Sequence, residues 1–365
     1  MKVVFDFKIF FQQKYGGPSR YFFNLFEHIN KKDNLDNAYI VSPIYYNEFL
    51  TNSEFKNKII GIKLPKIKYT GSFYKAINKS ISNYIINNFK PDLIHTTDYS
   101  IYTKKKLPLV VTVHDLIHEI YHKDFAKEKN YRPKKKILSI SDHIICVSEN
   151  TKKDLIEYYN VDEKKISVIY HGNTFDNFSL SSSNKKFDFK FFLFVGSRKR
   201  YKNFFKVVEA FKKNEQIYNE FKIICFGGGE LLKSEKEKLL ENDIDLKKII
   251  VIENSSDESL FNLYRNATAL IYPSIYEGFG MPIVEAMSLG CPVISSNSSS
   301  LPEVYKDAAL SFFPSSTKEL TNKMLQVAYD DQVKKKIVDL GLKQSKNFSW
   351  EKCIDKTLSV YKKVI

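Results

Sequence analysis

One feature restricts the fold of this chain more than any other. Short apolar runs alternate with segments of helical period, and the alternation runs twice. In the first half the runs fall at 3–11, 38–43, 91–95, 109–114, 142–148 and 165–172. Between them Tyr21, Leu25 and Ile29 keep a helical spacing, as do Phe73, Ile77, Ile81, Tyr84 and Ile85. Ser148 is placed to cap a further helix. A polar, low-complexity stretch at 179–186 interrupts the pattern and reads as a linker. The runs restart at 191–195, 221–226, 248–252, 269–272 and 292–295, and the chain ends in helices over 317–346 and from about Trp350. Strands that alternate with helices form parallel sheets wound on both faces. The expected fold class is therefore α/β, with two doubly wound parallel sheets, and 365 residues suffice for two cores. Ligands of such sheets bind beyond the C-terminal strand ends, so two facing domains would put those ends across one cleft.

Charge and cysteine usage narrow the function classes. A net charge of +15 favours anionic partners such as nucleic acid, an acidic membrane surface or phosphorylated substrates. A solvated lysine surface explains the larger part of it, with short runs at 104–106, 134–136 and 334–336. Aromatic residues are plentiful, but they follow core periodicity and no RNP-like or zinc-finger pattern accompanies them, so no nucleic-acid partner is expected. Cys146, Cys225, Cys291 and Cys353 have no paired spacing, which argues against a zinc site or disulfide framework and for a reducing compartment. No apolar run approaches the ~20 residues of a membrane span, and Met1 to Phe7 starts a strand and not a signal peptide. A cytoplasmic protein is expected, at most peripheral on the inner face of the cytoplasmic membrane.

The stretch from Tyr272 to Gly290 carries the most chemistry. An apolar run stops at Pro273, Gly278 and Gly280 permit a tight turn, and Pro282 suits the first turn of a helix that stops at Gly290. Unpaired N–H groups at such a helix start suit an anion. Glu277 and Glu285 suit hydroxyl groups. A diphosphate that carries sugars offers both, although the same pattern also fits any strand–loop–helix. Upstream, Gly196 to Asn203 follows a strand and precedes a helix, and it is crowded by Arg198, Lys199, Arg200 and Lys202. Those charges favour phosphate binding over a merely exposed basic loop, but the Walker spacing is absent. Gly227-Gly-Gly229 fits either a close ligand or a plain turn. His114 ends a strand and can bond a hydroxyl or a reacting sugar; His95 and His118 read as structural. No Gly-x-Ser-x-Gly elbow or His-Glu-x-x-His occurs, which leaves hydrolase and metalloenzyme readings unsupported.

Taken together, these residues resemble the retaining glycosyltransferases of family 4, of GT-B fold and bacterial surface-polysaccharide type. Glu277-Gly-Phe-Gly-Met-Pro-Ile-Val-Glu285 is similar to that family's two glutamates separated by seven residues. Ala286 to Ser296 and Leu301-Pro-Glu-Val resemble its continuation. Tyr15-Gly-Gly-Pro-Ser-Arg-Tyr resembles its N-terminal glycine loop, and Val147-Ser-Glu-Asn-Thr and Val168-Ile-Tyr-His-Gly-Asn resemble the two segments before the linker. Val195-Gly-Ser-Arg-Lys-Arg-Tyr-Lys-Asn resembles its phosphate loop. The matches fall in order over nearly the whole chain.

The resemblance implies an acceptor-binding Rossmann-like domain over 1–178 and a linker over 179–188. A nucleotide-sugar-binding domain would span 189–346, and a last helix over 347–365 would cross back to the first domain. Glu285 would hold the ribose of the nucleotide. Glu277 would contact the transferred sugar, with Gly278, Phe279, Gly280 and Met281 beside it. Lys202 and Arg198 would bind the diphosphate; Tyr201 stands where the family often has arginine, and Arg200 is a second candidate. Gly16, Gly17 and Gly228 would lie against the donor. Gly17, Arg20 and His114 would meet the acceptor, with His114 near the transferred sugar. His114, Glu277, Arg198 and Lys202 would carry catalysis. The resemblance implies retention by reaction on the front face; no carboxylate here is an obvious nucleophile for a double displacement. The implied reaction needs no cofactor and no metal. The donor would be a GDP- or UDP-sugar, with GDP-mannose favoured, and the acceptor a glycan or lipid-linked diphosphate, with possible contact to an acidic membrane. The alternatives are a nucleotide-sugar epimerase of the same fold, a non-catalytic nucleotide-sugar binder and, resting on charge alone, a nucleic-acid binder.

Overall fold

The computed structural model describes residues 1–32, 37–99, 107–121, 134–175, 187–198, 200–253 and 256–365. The expected linker at 179–186 and the lysine run at 104–106 lie outside them. The chain forms two compact units, one of Met1–Gly172 with Trp350–Ile365 and the other of Asn173–Ser349.

The first unit holds a sheet of seven strands: β1 (Lys2–Phe5), β2 (Asn37–Tyr45), β3 (Ile59–Lys63), β4 (Leu93–Thr96), β5 (Leu109–Val113), β6 (His143–Cys146) and β7 (Ile166–Val168). Their order is β3-β2-β1-β4-β5-β6-β7, and every pairing is parallel. The central strands are apolar on both faces, as a parallel sheet covered by helices requires: Val3, Val4, Phe5, Val110, Val111 and Val113 are all fully buried.

Three local expectations change. The opening strand ends at Phe5, and Lys8–Gln12 form a helix, α1, where a strand to residue 11 was predicted. The Asp6 carboxylate turns the chain by accepting the Lys8 N–H at 3.0 Å. Phe7, Phe10 and Phe11, at helical spacing, are then all buried, Phe10 in the main core and Phe7 and Phe11 against Tyr46. β3 was not anticipated, since its five residues between lysines form only an edge strand. The helix α3 (Gly71–Phe89) forms where predicted, but most of its apolar stripe is exposed. Asn78, Ser82 and Ile86 point inward, whereas Phe73, Ile81 and Tyr84 are exposed. The physical reason lies in β2, whose register shifts between Val41 and Ile44 around Pro43. That irregularity frees the backbone of Ile44. The Asn78 amide satisfies it, accepting the Ile44 N–H at 2.7 Å and donating to its carbonyl at 2.9 Å. Buried backbone groups need partners, and this pair fixes which face of α3 meets the sheet.

The last helix, Trp350–Val364, belongs to the first unit. Its Trp350, Cys353, Ile354, Leu358 and Tyr361 share a core with Val3, Phe5, Tyr21 and Leu25. Gly172 accommodates it: a Cβ there would meet the Trp350 backbone nitrogen at 2.4 Å.

The second unit holds six strands: β8 (Lys190–Val195), β9 (Phe221–Phe226), β10 (Ile249–Ile252), β11 (Ala269–Tyr272), β12 (Val293–Ser296) and β13 (Leu310–Phe312). Their order is β10-β9-β8-β11-β12-β13, again all parallel. Both units are thus Rossmann-like. Each sheet reverses its winding once, between β1 and β4 in the first and between β8 and β11 in the second. The loops that leave such adjacent strands on opposite sides open a crevice at their C-terminal ends. All four cysteines are buried and free. Among the described residues no helix is long and apolar enough to cross a membrane.

Candidate functional site

In the second unit the crevice lies between the loops that follow β8 and β11, and both end in a helix start. The β8 loop passes through Gly196 and a short turn, Arg200–Lys202, into the helix Phe204–Lys212. The β11 loop passes through Glu277 to Gly280 and into the helix Met281–Ser288. Gly280 has φ +107°, and a Cβ there would meet the Leu301 side chain at 2.8 Å, so only glycine fits this turn. The two loops are stitched together. Asn203 donates its amide to the carbonyls of Pro273 and Pro314, at 3.3 and 2.9 Å. The Ile275 N–H donates to the Tyr201 carbonyl at 2.8 Å.

This stitching brings Lys202 onto Glu277. The ammonium lies 2.5 Å from the carboxylate and 3.3 Å from the Tyr272 hydroxyl. Both charged side chains keep a window to solvent, at 15% and 14% exposure. Burial, then the neighbouring Glu277 charge, holds the Tyr272 phenol well above its usual pKa, so its proton stays available to the carboxylate. The backbone around Glu277 is fixed by two serines. Its N–H donates to Ser299 Oγ at 2.8 Å, and Ser300 Oγ donates to the carbonyls of Glu277 and Phe279. One turn into the helix, Glu285 is 5% exposed and accepts from the Tyr264 hydroxyl at 2.9 Å. The arrangement offers one ammonium, two carboxylates and the N-terminal end of a helix at the winding reversal of one sheet. It can hold an anion and hydroxyl groups at once.

Arg198 behaves otherwise than expected. Its side chain is 1% exposed and its guanidinium is turned into the glycine turn after β9. It donates to the carbonyls of Gly227, Gly229 and Glu230, at 3.3, 2.8 and 2.8 Å, and pairs with the Glu235 carboxylate at 3.1 Å. Those donors are committed to the protein, so Arg198 shapes the turn in this structure and leaves Lys202 as the charge beside Glu277. Gly228 has φ +79°, and a Cβ would come within 3.0 Å of the Gly196 carbonyl, so the turn packs directly on the β8 loop. Arg200 lies in the turn before Lys202; Lys199 is outside the described residues.

In the first unit, Gly17 opens the helix α2 (Gly17–Lys31), with Pro18 in its first turn. Gly16 precedes it, packed against the Gln13 side chain. Arg20 stacks over the Phe49 ring at 5.0 Å. His114 follows β5 and meets Tyr21 and Phe22 edge-on, while His171 stacks on it with ring centres 5.9 Å apart. Burial pushes its pKa down to about 4, so the ring is neutral near pH 7. Its Nε2 is buried and has no hydrogen-bond partner among the described residues. His95 is structural, as read from the sequence: it bonds the Tyr361 hydroxyl at 2.6 Å and Thr112 Oγ1 at 2.8 Å. Sequence reasoning missed Tyr264, Tyr272, Ser299, Asn203 and Glu235. Tyr272 ends an apolar strand and Tyr264 lies on the buried face of a helix, where both read as core, and their partners Lys202 and Glu285 are distant in the chain.

Comparison with known proteins fits this architecture. The description "Glycosyl transferases group 1" matches residues 176–344, and "Glycosyltransferase Family 4" matches residues 15–173. The chain is 32% identical over 262 residues to the O-antigen chain mannosyltransferase RfbU of Salmonella typhimurium strain LT2, covering 70% of this chain and 68% of that one. It is 47% identical over 106 residues to O-antigen chain mannosyltransferase B of Escherichia coli, a match that spans 29% of this chain and 28% of that relative's length. Among solved structures, that of Anabaena Alr3699/HepE in complex with UDP-glucose superposes with a TM-score of 0.75 at 16% identity, over 98% of this chain and 99% of the other. The fold is GT-B. The chain is a glycosyltransferase and belongs to glycosyltransferase family 4, the group 1 glycosyl transferases.

Proposed function

We propose that the chain is a retaining mannosyltransferase that moves mannose from GDP-mannose to a glycan or lipid-diphosphate acceptor during surface-polysaccharide assembly. Two relatives named O-antigen mannosyltransferases support the sugar. The solved HepE complex supports a nucleotide-sugar donor, though of the UDP class. The observation that carries the reading is the Lys202–Glu277 pair at the winding reversal of the second sheet. In the free protein the two charges satisfy each other. The donor exchanges these partners: its diphosphate takes the Lys202 ammonium and the first N–H groups after Gly280, and its sugar hydroxyls take Glu277. Glu285 receives the ribose hydroxyls, held in place by Tyr264. Gly228 lines the donor by close backbone approach, and in the first unit Gly17, Arg20 and His114 serve the acceptor.

In the reaction the bond from the anomeric carbon to the phosphate oxygen breaks, and its electron pair stays on the diphosphate. The acceptor oxygen bonds the same carbon on the same face, and its proton passes to the departing phosphate oxygen. With the donor bound, Glu277 is engaged with hydroxyls of the sugar, which supports this course over a covalent glycosyl–enzyme. Lys202 stabilises the charge that develops on the leaving group. A fixed ammonium in that place supports a metal-independent reaction. Neutral His114 donates or accepts one hydrogen bond to a sugar hydroxyl. The work is assigned to the cytoplasmic side, with peripheral contact to an acidic membrane.

A panel of labelled GDP-, UDP- and ADP-sugars with a membrane lipid extract tests this. Transfer of mannose from GDP-mannose, with retained configuration and in the presence of chelator, is expected. Lys202→Ala and Glu285→Ala should each lower it about 100-fold or more while the protein stays folded. Transfer from no donor, or near-normal activity in either variant, overturns the assignment.

A further inference from the structure

The helix α3 turns an apolar stripe away from the core. Phe73, Ile77, Ile81 and Tyr84 stand at i, i+4, i+8 and i+11 and so share one face. Phe73 is 65% exposed, Ile81 43% and Tyr84 73%. Just before the helix, Ile67 is 51% exposed and Tyr69 fully so. Single exposed apolar residues are ordinary, but five within one short stretch are not. The surrounding chain has a single sign of charge. From Phe55 to Pro91 it contains no Asp or Glu and eight lysines. Lys63 is paired with Glu48, whereas Lys66, Lys68 and Lys79 stand exposed. The outward stripe of the helix itself follows from its orientation, which Asn78 locks by its bonds to Ile44.

We propose that the face formed by residues 66–84 docks on an anionic lipid surface, with Tyr69, Phe73 and Tyr84 at the level of the head groups and Lys66, Lys68 and Lys79 on lipid phosphates. Aromatic rings beside lysines are what a bilayer interface selects. A protein partner fits less well, because lysine is depleted from the cores of such interfaces. A second copy fits less well still, since a two-fold contact would oppose the same lysines. The surface deepens the membrane contact proposed above but acts without sugar transfer, so its test is separate from that of the donor site.

The experiment is flotation of the full chain with phosphatidylcholine vesicles, with and without phosphatidylglycerol. Retention is expected on the anionic vesicles alone. It should fall about tenfold or more for Lys66→Glu/Lys68→Glu, and comparably for Phe73→Ser/Tyr84→Ser. Both variants change exposed side chains, so unchanged melting and unchanged activity on a water-soluble acceptor serve as the control. The proposal is overturned if wild type ignores anionic vesicles, if either double variant floats as well as wild type, or if sedimentation without lipid reveals a dimer that Phe73→Ser/Tyr84→Ser dissolves.

Discussion

At the scale of single residues, the charged members of the site were legible and their neutral supports were not. Glu277 and Glu285 stood out because carboxylates beside a glycine turn have no reason to be in a core. Lys202 stood out in a loop between a strand and a helix. Tyr264 gave no signal, since its hydroxyl finds Glu285 only through the fold. Tyr264→Phe should therefore raise the KM for donor about tenfold or more with little change in kcat, since a hydrogen bond to a charged group is worth about 1.5–3 kcal/mol. Titration with wild-type and variant protein checks this, and a pure loss of kcat would contradict it. His95 supplies a second prediction. Burial, then the nearby His114, holds its pKa down to about 3, against about 6.5 in the unfolded chain. Between these values the unfolded state binds the extra proton, so stability rises with pH there and falls as the pH drops below 6.5. From about pH 7 to about pH 5 this one group removes up to about 2 kcal/mol. Urea unfolding of His95→Gln should show a pH slope shallower by that amount, whatever its stability at neutral pH.

At the scale of elements, the sequence located helices and strands better than it oriented them. The α3 pattern marked a helix correctly, but Phe73, Ile81 and Tyr84 of its apolar stripe are exposed, while Ile85 packs beside the buried Ile86. Hydrophobic period assumes that the apolar stripe meets the core; here a backbone irregularity in β2 recruited Asn78 instead. Asn78→Ala should cost about 1–3 kcal/mol by leaving Ile44 unsatisfied, while Phe73→Ser costs less than about 0.5 kcal/mol. Denaturant midpoints distinguish the two, and the reverse ranking would restore the sequence-based orientation. The β8 loop teaches the same lesson. A cluster of cationic residues suggested a shared phosphate site, yet Arg198 folds back on Gly227 to Glu230 and Glu235. Arg198→Ala should destabilise the protein by about 3 kcal/mol, because it strands a largely buried Glu235 and the carbonyls of the turn. An exposed phosphate ligand would cost almost nothing when removed.

At the scale of the whole molecule, the last helix decides how the chain is divided. Residues 350–365 lie far from residues 1–172 in sequence, yet they complete that unit's core. A chain ended at Ser349 should lose the cooperative unfolding of the first unit, with Trp350, Ile354, Leu358 and Tyr361 no longer covering Val3, Phe5 and Tyr21. Circular dichroism and limited proteolysis test this: cleavage should concentrate within residues 1–172, and an intact, protected first unit would refute the role. By itself the sequence determined the α/β class, the two parallel sheets and the family, and it singled out Lys202, Glu277 and Glu285 as candidates. Each of these is written in local period or in motif spacing. Only the tertiary structure decided that Lys202 meets Glu277, that Arg198 is spent on a turn and that the apolar stripe of α3 faces outward. Those outcomes depend on partners distant in the chain, and buried backbone groups and charges choose them by what they can reach.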